Sequence, residues 1–369
     1  MKLEPALRLE RAASLPPTPP VVSFFEFWPS WAFYAPVVAQ WLALGLRHGD
    51  FSLPTAANPT IELGGLCGES KRAILDQVGD PERAILARYA RIVTHGSDVA
   101  LDTQAAEHAM AQAELHYPLV AKPDIGCNGT GVRLVQDRAA LARYLSAFPR
   151  NAGVLLQEFI PEDGEAGLFF MREPGQDRGR ISSITLKYAP SVTGDGRSTL
   201  RDLILADPRA GRVAHLYLPR LKHRWQEVPR QGEQVRLVFV GNHCKGSIFR
   251  NGTALATEAL TDRVDRLARA LPGFHFGRID VRFASVQALA RGEGFRVIEI
   301  NGVGSEATHV WDPATPLREA WRAQFEHYGA AFRIAAANRA LGHKPAGVRA
   351  MWRHWRAQKR LMAAYPMND

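Results

Sequence analysis

Two apolar segments, FGRIDVRF (276–283) and FRVIEIN (295–301), constrain this chain more than any other feature. Each has the composition of a buried strand. Each also carries polar groups on alternate positions, Arg278 and Asp280 in the first, Glu299 and Asn301 in the second. Strand side chains alternate faces with a period of two, so each pair projects from one side. Two carboxylates and an amide oxygen on neighbouring strands make an all-oxygen set that suits a hard cation such as Mg²⁺, with phosphate completing the shell. Arg278 is placed to meet negative charge gathered there. Surface ion pairing is the plain alternative, and the flanking of Glu299 by Val297, Ile298 and Ile300 weighs against it.

Charge has to be read by position. The formal +9 is concentrated at one end: from Leu341 onward there are six basic residues and a single acid, Asp369. The body is only mildly basic, so no nucleic-acid partner is expected. Cys67, Cys127 and Cys244 are far apart, with no CxxC pair, which excludes a disulfide framework or zinc site and points to a reducing compartment. Cys67 and Cys127 read as small packing residues. Residues 21–46 are long and apolar enough to raise a membrane question. Glu26, Pro29, Pro36 and Gln40 interrupt them, so the expectation is a buried or interface-lying helical hairpin bent at the prolines.

Along the chain, residues 1–20 read as a proline-rich leader, and 51–65 as a short strand and turn. A helix is expected to start near Glu69 and Ser70. Apolar strands follow at PLVAK (118–122), VRLV, GVLLQEF (153–159), ISSITLKYA and EQVRLVFV. Leu141, Tyr144, Leu145 and Phe148 share one helical face, and DRVDRLARAL is an amphipathic helix. Strands and helices come in clusters, which favours an α+β class over a doubly wound sheet. The expected divisions are a lead segment at 1–67, subdomains at 68–152 and 153–335, and a basic helix at 336–369.

AKPDIGCNGTGV (121–132) sets Lys122 at a strand end before Gly126, Gly129 and Gly131. Such a loop lets backbone N–H groups close on an anion, with the lysine adding charge. It is no P-loop, because GxxxxGK[ST] is absent. A glycine-rich hairpin with a solvated lysine is the bland alternative.

Taken in order, SK (70–71), PLVAKP…GCNGTGV, LQEFI…GE, FGRID and VIEIN resemble the ATP-grasp superfamily over roughly residues 68–312. The likeness is to D-alanine–D-alanine ligases and, more closely, to the cyanophycin synthetase and RimK-like carboxylate–amine ligases; GDGRSTLRDLI in 189–204 adds to it. The resemblance implies an ATP-grasp fold, two α+β subdomains gripping ATP. It further implies that Lys71 and Lys122 contact nucleotide phosphates under a flap containing Gly126, Asn128, Gly129, Thr130 and Gly131. Gln157, Glu158, Phe159 and Ile160 become the adenine-reading hinge, and Glu165 the ribose acid. Asp280, Glu299 and Asn301 become ligands for Mg²⁺ or Mn²⁺, as a pair of ions. Arg278 takes an acyl-phosphate-stabilising role, and Lys187 is either a further phosphate contact or a solvated strand residue. The flap departs from the serine-rich pattern of D-alanine ligases. Asn301 leads into GVGSEATHVW rather than an N…PG turn, so Ser305, Thr308 or His309 are the substrate-facing candidates. Asn58, with the helix start near Glu69, is a further candidate for a substrate carboxylate.

The implied reaction is ATP-dependent joining of a carboxylate to an amine, peptide or thiol through an acyl phosphate. Two alternatives stand beside it. One is a small-molecule kinase, distinguished by where the γ-phosphate goes. The other is a non-catalytic, membrane-associated nucleotide binder. For the latter, the C-terminal helix sets Val348, Met351, Trp352 and Trp355 on one face and Arg349, Arg353, Arg356 and Arg360 on another. The competing expectation is that its tryptophans pack on the body. A cytoplasmic protein, peripheral at the membrane's inner face in the second case, is the expected setting, as monomer or oligomer.

Overall fold

A computed structural model describes residues 22–23, 25–96 and 98–367. The expected leader at 1–20 lies outside them. In chain order the strands are β1 Tyr89–Val93, β2 Leu119–Pro123, β3 Arg133–Val135, β4 Gly153–Glu158, β5 Gly164–Met171, β6 Arg180–Tyr188, β7 Ser191–Thr193, β8 Gln234–Arg236, β9 Ile248–Asn251, β10 Phe276–Phe283 and β11 Phe295–Asn301. They form an antiparallel four-stranded sheet in the order β1-β4-β2-β3, a five-stranded sheet β11-β10-β5-β6-β9 and a small pair β7-β8.

The four-stranded sheet is covered by helices Val99–Gln112 and Arg138–Ser146, each started by an aspartate, Asp98 or Asp137, that accepts from free N–H groups of the first turn. The expected face Leu141, Tyr144, Leu145 and Phe148 is buried against Val154 and Leu156 of β4. Because β4 pairs with both β1 and β2, the first subdomain continues to Glu158. The expected division at 152/153 comes before this strand.

The five-stranded sheet has two unlike faces. Ala166, Leu168 and Phe170 of β5, Ile184 and Leu186 of β6, and Ile279 and Val281 of β10 meet Leu260, Val264 and Leu267 of helix Glu258–Ala270. Burying each such side chain contributes roughly 1.5–3 kcal/mol. The residues between them fall on the other face: Glu165, Lys187, Arg278, Asp280, Arg282, Glu299 and Asn301.

Three local expectations are corrected. Residues 30–48 form one helix, Ser30–His48, which runs through Pro36 and ends at Gly49 (φ 71°). The stripe Phe33, Val37 and Trp41 lies on helix Leu317–Ala340, with Trp41 5.2 Å from Phe332, and that packing offsets the hydrogen bond lost at Pro36. Residues 51–65 form 3-10 turns, Leu53–Ala56 and Glu62–Gly65, rather than a strand. In EQVRLVFV only Gln234–Arg236 is strand, because the Arg236 guanidinium donates to the carbonyls of Val238 (2.8 Å) and Phe239 (2.9 Å) and turns the chain. The β10–β11 pairing is as expected, although its connection contains a short helix, Val286–Ala290. Among the described residues no helix is long and apolar enough to cross a membrane.

Candidate active site

The charged face of the five-stranded sheet floors a cavity of about 860 Å³, whose opposite wall is β2, the end of β4 and the glycine loop. Register assembles the floor. Asp280 lies opposite Glu299, and Arg278 opposite Asn301. Beneath them is Gly167, where a Cβ would come within 2.8 Å of Arg278 and 3.0 Å of Asp280. Only hydrogen leaves these two side chains where they are.

Asp280 is 3% exposed and held on all sides. Arg278 donates to it twice, from Nε (3.0 Å) and Nη2 (3.1 Å), Lys187 donates at 2.9 Å, and Asn301 Nδ2 at 3.1 Å. Burial alone raises its pKa, but the charges of Arg278 and Lys187 outweigh that and bring it down to about 2. Lys187 also donates to Glu165 at 3.1 Å. Burial opposes its charge, yet Asp280 and Glu165 keep its pKa above the ordinary value. The solvated reading of Lys187 is thereby excluded; it is buried and lines the cavity.

Lys122 is 6% exposed and donates to Gln157 Oε1 (2.8 Å) and the Ile298 carbonyl (3.0 Å). Both acceptors are neutral, so burial prevails and lowers its pKa to about 8, against the pull of Glu299. The solvated-lysine reading fails here too. Lys71 reaches the Gly126 carbonyl at 2.5 Å and Glu299 at 3.5 Å, linking the glycine loop to β11. Ser70 caps its short helix and accepts from Ala73 N.

Within the loop, Asn128 (φ 56°) and Gly129 (φ 65°) take the left-handed conformation. A Cβ on Gly129 would fall 2.4 Å from Val240, so the loop rests on the 239–242 segment. Gly126, Asn128, Gly129 and Thr130 line the cavity. Gly131 instead packs near Pro123 and Tyr365. At the hinge, Gln157 is turned inward to Lys122, and Glu158 pairs with Arg88 and Arg296 at 3.2 Å. Phe159 and Ile160 line an apolar slot with Val120 and Phe239.

The donor chemistry fits a hard cation: two carboxylates and an amide, adjacent by register, with Glu299 in a long contact with Lys71. Among the described residues no three His, Cys, Asp or Glu side chains cluster as a metal site, so Asn301 is needed to make the set.

The substrate candidates separate. Ser305 and Thr308 line the main cavity, but their hydroxyls bond to the Gly302 carbonyl (2.6 Å) and to Thr185 (3.0 Å). His309 lines a second cavity of about 500 Å³ instead. Asn58 does not line the main cavity. It is fully buried, donating to the carbonyls of Gly64 and Phe276 and accepting from His275 N and Phe276 N. Its amide is a structural staple with no capacity left for substrate. The neighbouring helix start suits a carboxylate ligand poorly as well, because Glu69 projects into the cavity with Oε2 unpartnered, its pKa raised by burial. Cys67 also lines the cavity, and burial pushes its thiol up to about 11, leaving it unreactive at neutral pH.

Sequence reasoning passed over Glu306, Tyr34 and Trp311, which wall the cavity's far end, and Trp355 and Lys359 of the C-terminal helix. Glu306 is the only acid in GVGSEATHVW, which was the available signal. Nothing in sequence brings Tyr34 to it.

Two antiparallel sheets of an α+β protein thus face a lysine-lined cavity roofed by a glycine loop. Residues 82–171 match the RimK-like ATP-grasp domain. It is 34% identical over 110 residues to the glutathione biosynthesis bifunctional protein GshAB of Streptococcus thermophilus, a match covering 26% of this chain and 14% of that protein. The chain thus spans about a seventh of that relative's length. Among solved structures, D-alanine–D-alanine ligase from Bacillus anthracis aligns at 15% identity over 77% of this chain and 72% of that one, with a TM-score of 0.41. A bifunctional glutathione synthetase from Pasteurella multocida aligns at 15% identity over 69% and 36%, with a TM-score of 0.35.

Proposed function

We propose that this protein is an ATP-dependent ligase that joins a carboxylate to an amine through an acyl phosphate. The observation that carries the reading is the convergence of Lys122, Lys187 and Arg278 with Asp280, Glu299 and Asn301 in one cavity beneath the glycine loop. A carboxylate oxygen of the substrate forms a bond to the γ-phosphorus as the bond to the β-phosphate oxygen breaks, leaving ADP and an acyl phosphate. The amine nitrogen then bonds to the acyl carbon, and phosphate departs with the C–O bond electrons while the nitrogen loses a proton.

The chain's own groups serve these steps in distinct ways. Lys122 and Lys71 would supply positive charge to the phosphate oxygens, one from a buried strand end and one from the base of the loop. Arg278, locked by its two bonds to Asp280, presents a fixed guanidinium to the transferring group. Asp280, Glu299 and Asn301 would hold magnesium, which supplies Lewis-acid charge at the phosphates. Phe159, Ile160, Val120 and Phe239 would hold the adenine ring in an apolar slot, and Glu165 would accept from the ribose hydroxyls. The loop at 126–131 shields the acyl phosphate from water.

Incubation with ATP, Mg²⁺ and pooled carboxylates in hydroxylamine tests the reading. Hydroxamate formed together with ADP and inorganic phosphate is the expected result. ATP binding without hydroxamate from any pool, or a stable phosphorylated product without phosphate release, contradicts it and in the second case identifies a kinase.

A further inference from the structure

The far end of the cavity is built around one carboxylate. Glu306 accepts hydrogen bonds from Tyr34 Oη (2.7 Å), Trp311 Nε1 (2.8 Å) and Gln324 Nε2 (2.5 Å). These three donors come from the N-terminal helix, the turn Thr308–Trp311 and helix Leu317–Ala340, so three separate segments fix its position. All three donors are neutral. Among the described residues no lysine, arginine or histidine forms an ion pair with this carboxylate, unlike Asp280, Glu165 and Glu158, which are each paired. Arg278 gives its fork to Asp280 and only Nη1 to the Glu306 backbone carbonyl, at 3.1 Å.

A carboxylate oriented by neutral donors has four acceptor positions, of which three are used. Burial raises the pKa of the neighbouring phenols of Tyr34 and Tyr328, and the proximity of Glu306 raises both further. The surrounding wall is aromatic, with Tyr34, Trp311, Tyr328 and Phe249 lining the same cavity. An unpaired carboxylate set among aromatic rings attracts a cation, since the ring faces and the carboxylate act together. The backbone tie to Arg278 places this recess next to the groups assigned to phosphoryl transfer.

We propose that Glu306 binds the ammonium group of the second substrate, so that the ligase captures a primary amine in its protonated form, which gives one proton to the Glu306 carboxylate before its nitrogen attacks, while its carbon skeleton rests on Tyr34 and Trp311. This rests on the ligase reading for the word substrate, but the recognition is measured without turnover. The full chain, saturated with ADP and Mg²⁺, is titrated calorimetrically with matched probes. These are amino acid amides, arylalkyl amines and alkane diamines, each beside the analogue carrying hydroxyl in place of the amino group. The expected result is that the binding probes are amines, and that each weakens roughly tenfold or more when the ammonium is replaced. Glu306→Gln should remove that preference with ADP affinity unchanged, and Glu306→Asp should restore part of it. Equal binding of amines and hydroxyl analogues, an unaltered preference in Glu306→Gln, or no amine binding at all overturns the assignment. Failure of the hydroxamate assay with amine binding intact would overturn the ligase reading alone.

Discussion

Lys122 shows how a single residue is tuned by what surrounds it. Its ammonium is buried against an amide oxygen and a carbonyl, with no direct carboxylate partner among the described residues, and its pKa falls to about 8. The charged form therefore dominates below that value and is lost as pH rises through it. Affinity of the free protein for ATP should accordingly decline between about pH 8 and pH 9, measured by titration at constant ionic strength. Affinity that stays level to pH 9.5 would mean that Lys122 does not contribute its charge. Gly167 offers a second test at this scale. Its φ lies outside the left-handed region, so Gly167→Ala meets no backbone obstacle but displaces Arg278 and Asp280. Turnover should fall roughly a hundredfold, the order expected of a misplaced catalytic group, with ATP binding reduced far less. The shared face of Glu299 and Asn301 was legible, because period-two alternation is local. The Glu306 recess was not, since its partners lie 272 and 18 residues away in Tyr34 and Gln324.

At the level of elements, the C-terminal helix Val348–Ala364 departs most from expectation. Hydrophobicity alone selects the stripe Val348, Met351, Trp352 and Trp355, yet Trp352 and Trp355 are 57% and 46% exposed. The packed stripe is instead Met351, His354, Gln358, Leu361 and Met362, leading into Tyr365. Each exposed tryptophan carries a cation over its ring, Arg356 at 4.6 Å from Trp352 and Lys359 at 4.5 Å from Trp355, which lowers the cost of leaving it outside. Two apolar stripes overlap on this helix, and composition cannot choose between them. The packed one spans the loop before Lys71 and the glycine loop: Gly68 N donates to Gln358 Oε1 (2.9 Å) and Tyr365 Oη donates to the Ile125 carbonyl (2.7 Å). Tyr365→Phe should cost about 1 kcal/mol overall while speeding amide exchange selectively at residues 125–132. Exchange unchanged there would show that the helix covers the loop without restraining it. The exposed tryptophans and arginines also make a concrete membrane test. Sedimentation with anionic liposomes should be weakened by Trp352→Ala with Trp355→Ala if that face meets lipid.

For the whole molecule, the α+β class could be read from clustered apolar runs, but strands β1, β5 and β9 were not picked out, and β5 is the centre of the larger sheet. The pairing of β4 could not be read either, because it lies next to the second sheet in sequence yet pairs with β1 and β2. The paired sheets place a lysine-bearing wall opposite a carboxylate-bearing floor, and the ligase proposal depends on that opposition. Disabling the floor tests it as a unit. Asn301→Ala and Glu299→Ala should each lower metal-dependent turnover by at least roughly tenfold, as loss of one metal ligand or its support does, while the fold, followed by circular dichroism, is kept. Full turnover in either variant would remove that residue from the site. The central claim, an acyl phosphate formed from ATP, is tested most directly by isotope transfer. Carboxylate substrates drawn from the hydroxamate-positive pool are labelled with ¹⁸O and turned over with ATP and an amine. One labelled oxygen should pass from the carboxylate into the released phosphate. Phosphate released wholly unlabelled would contradict the account.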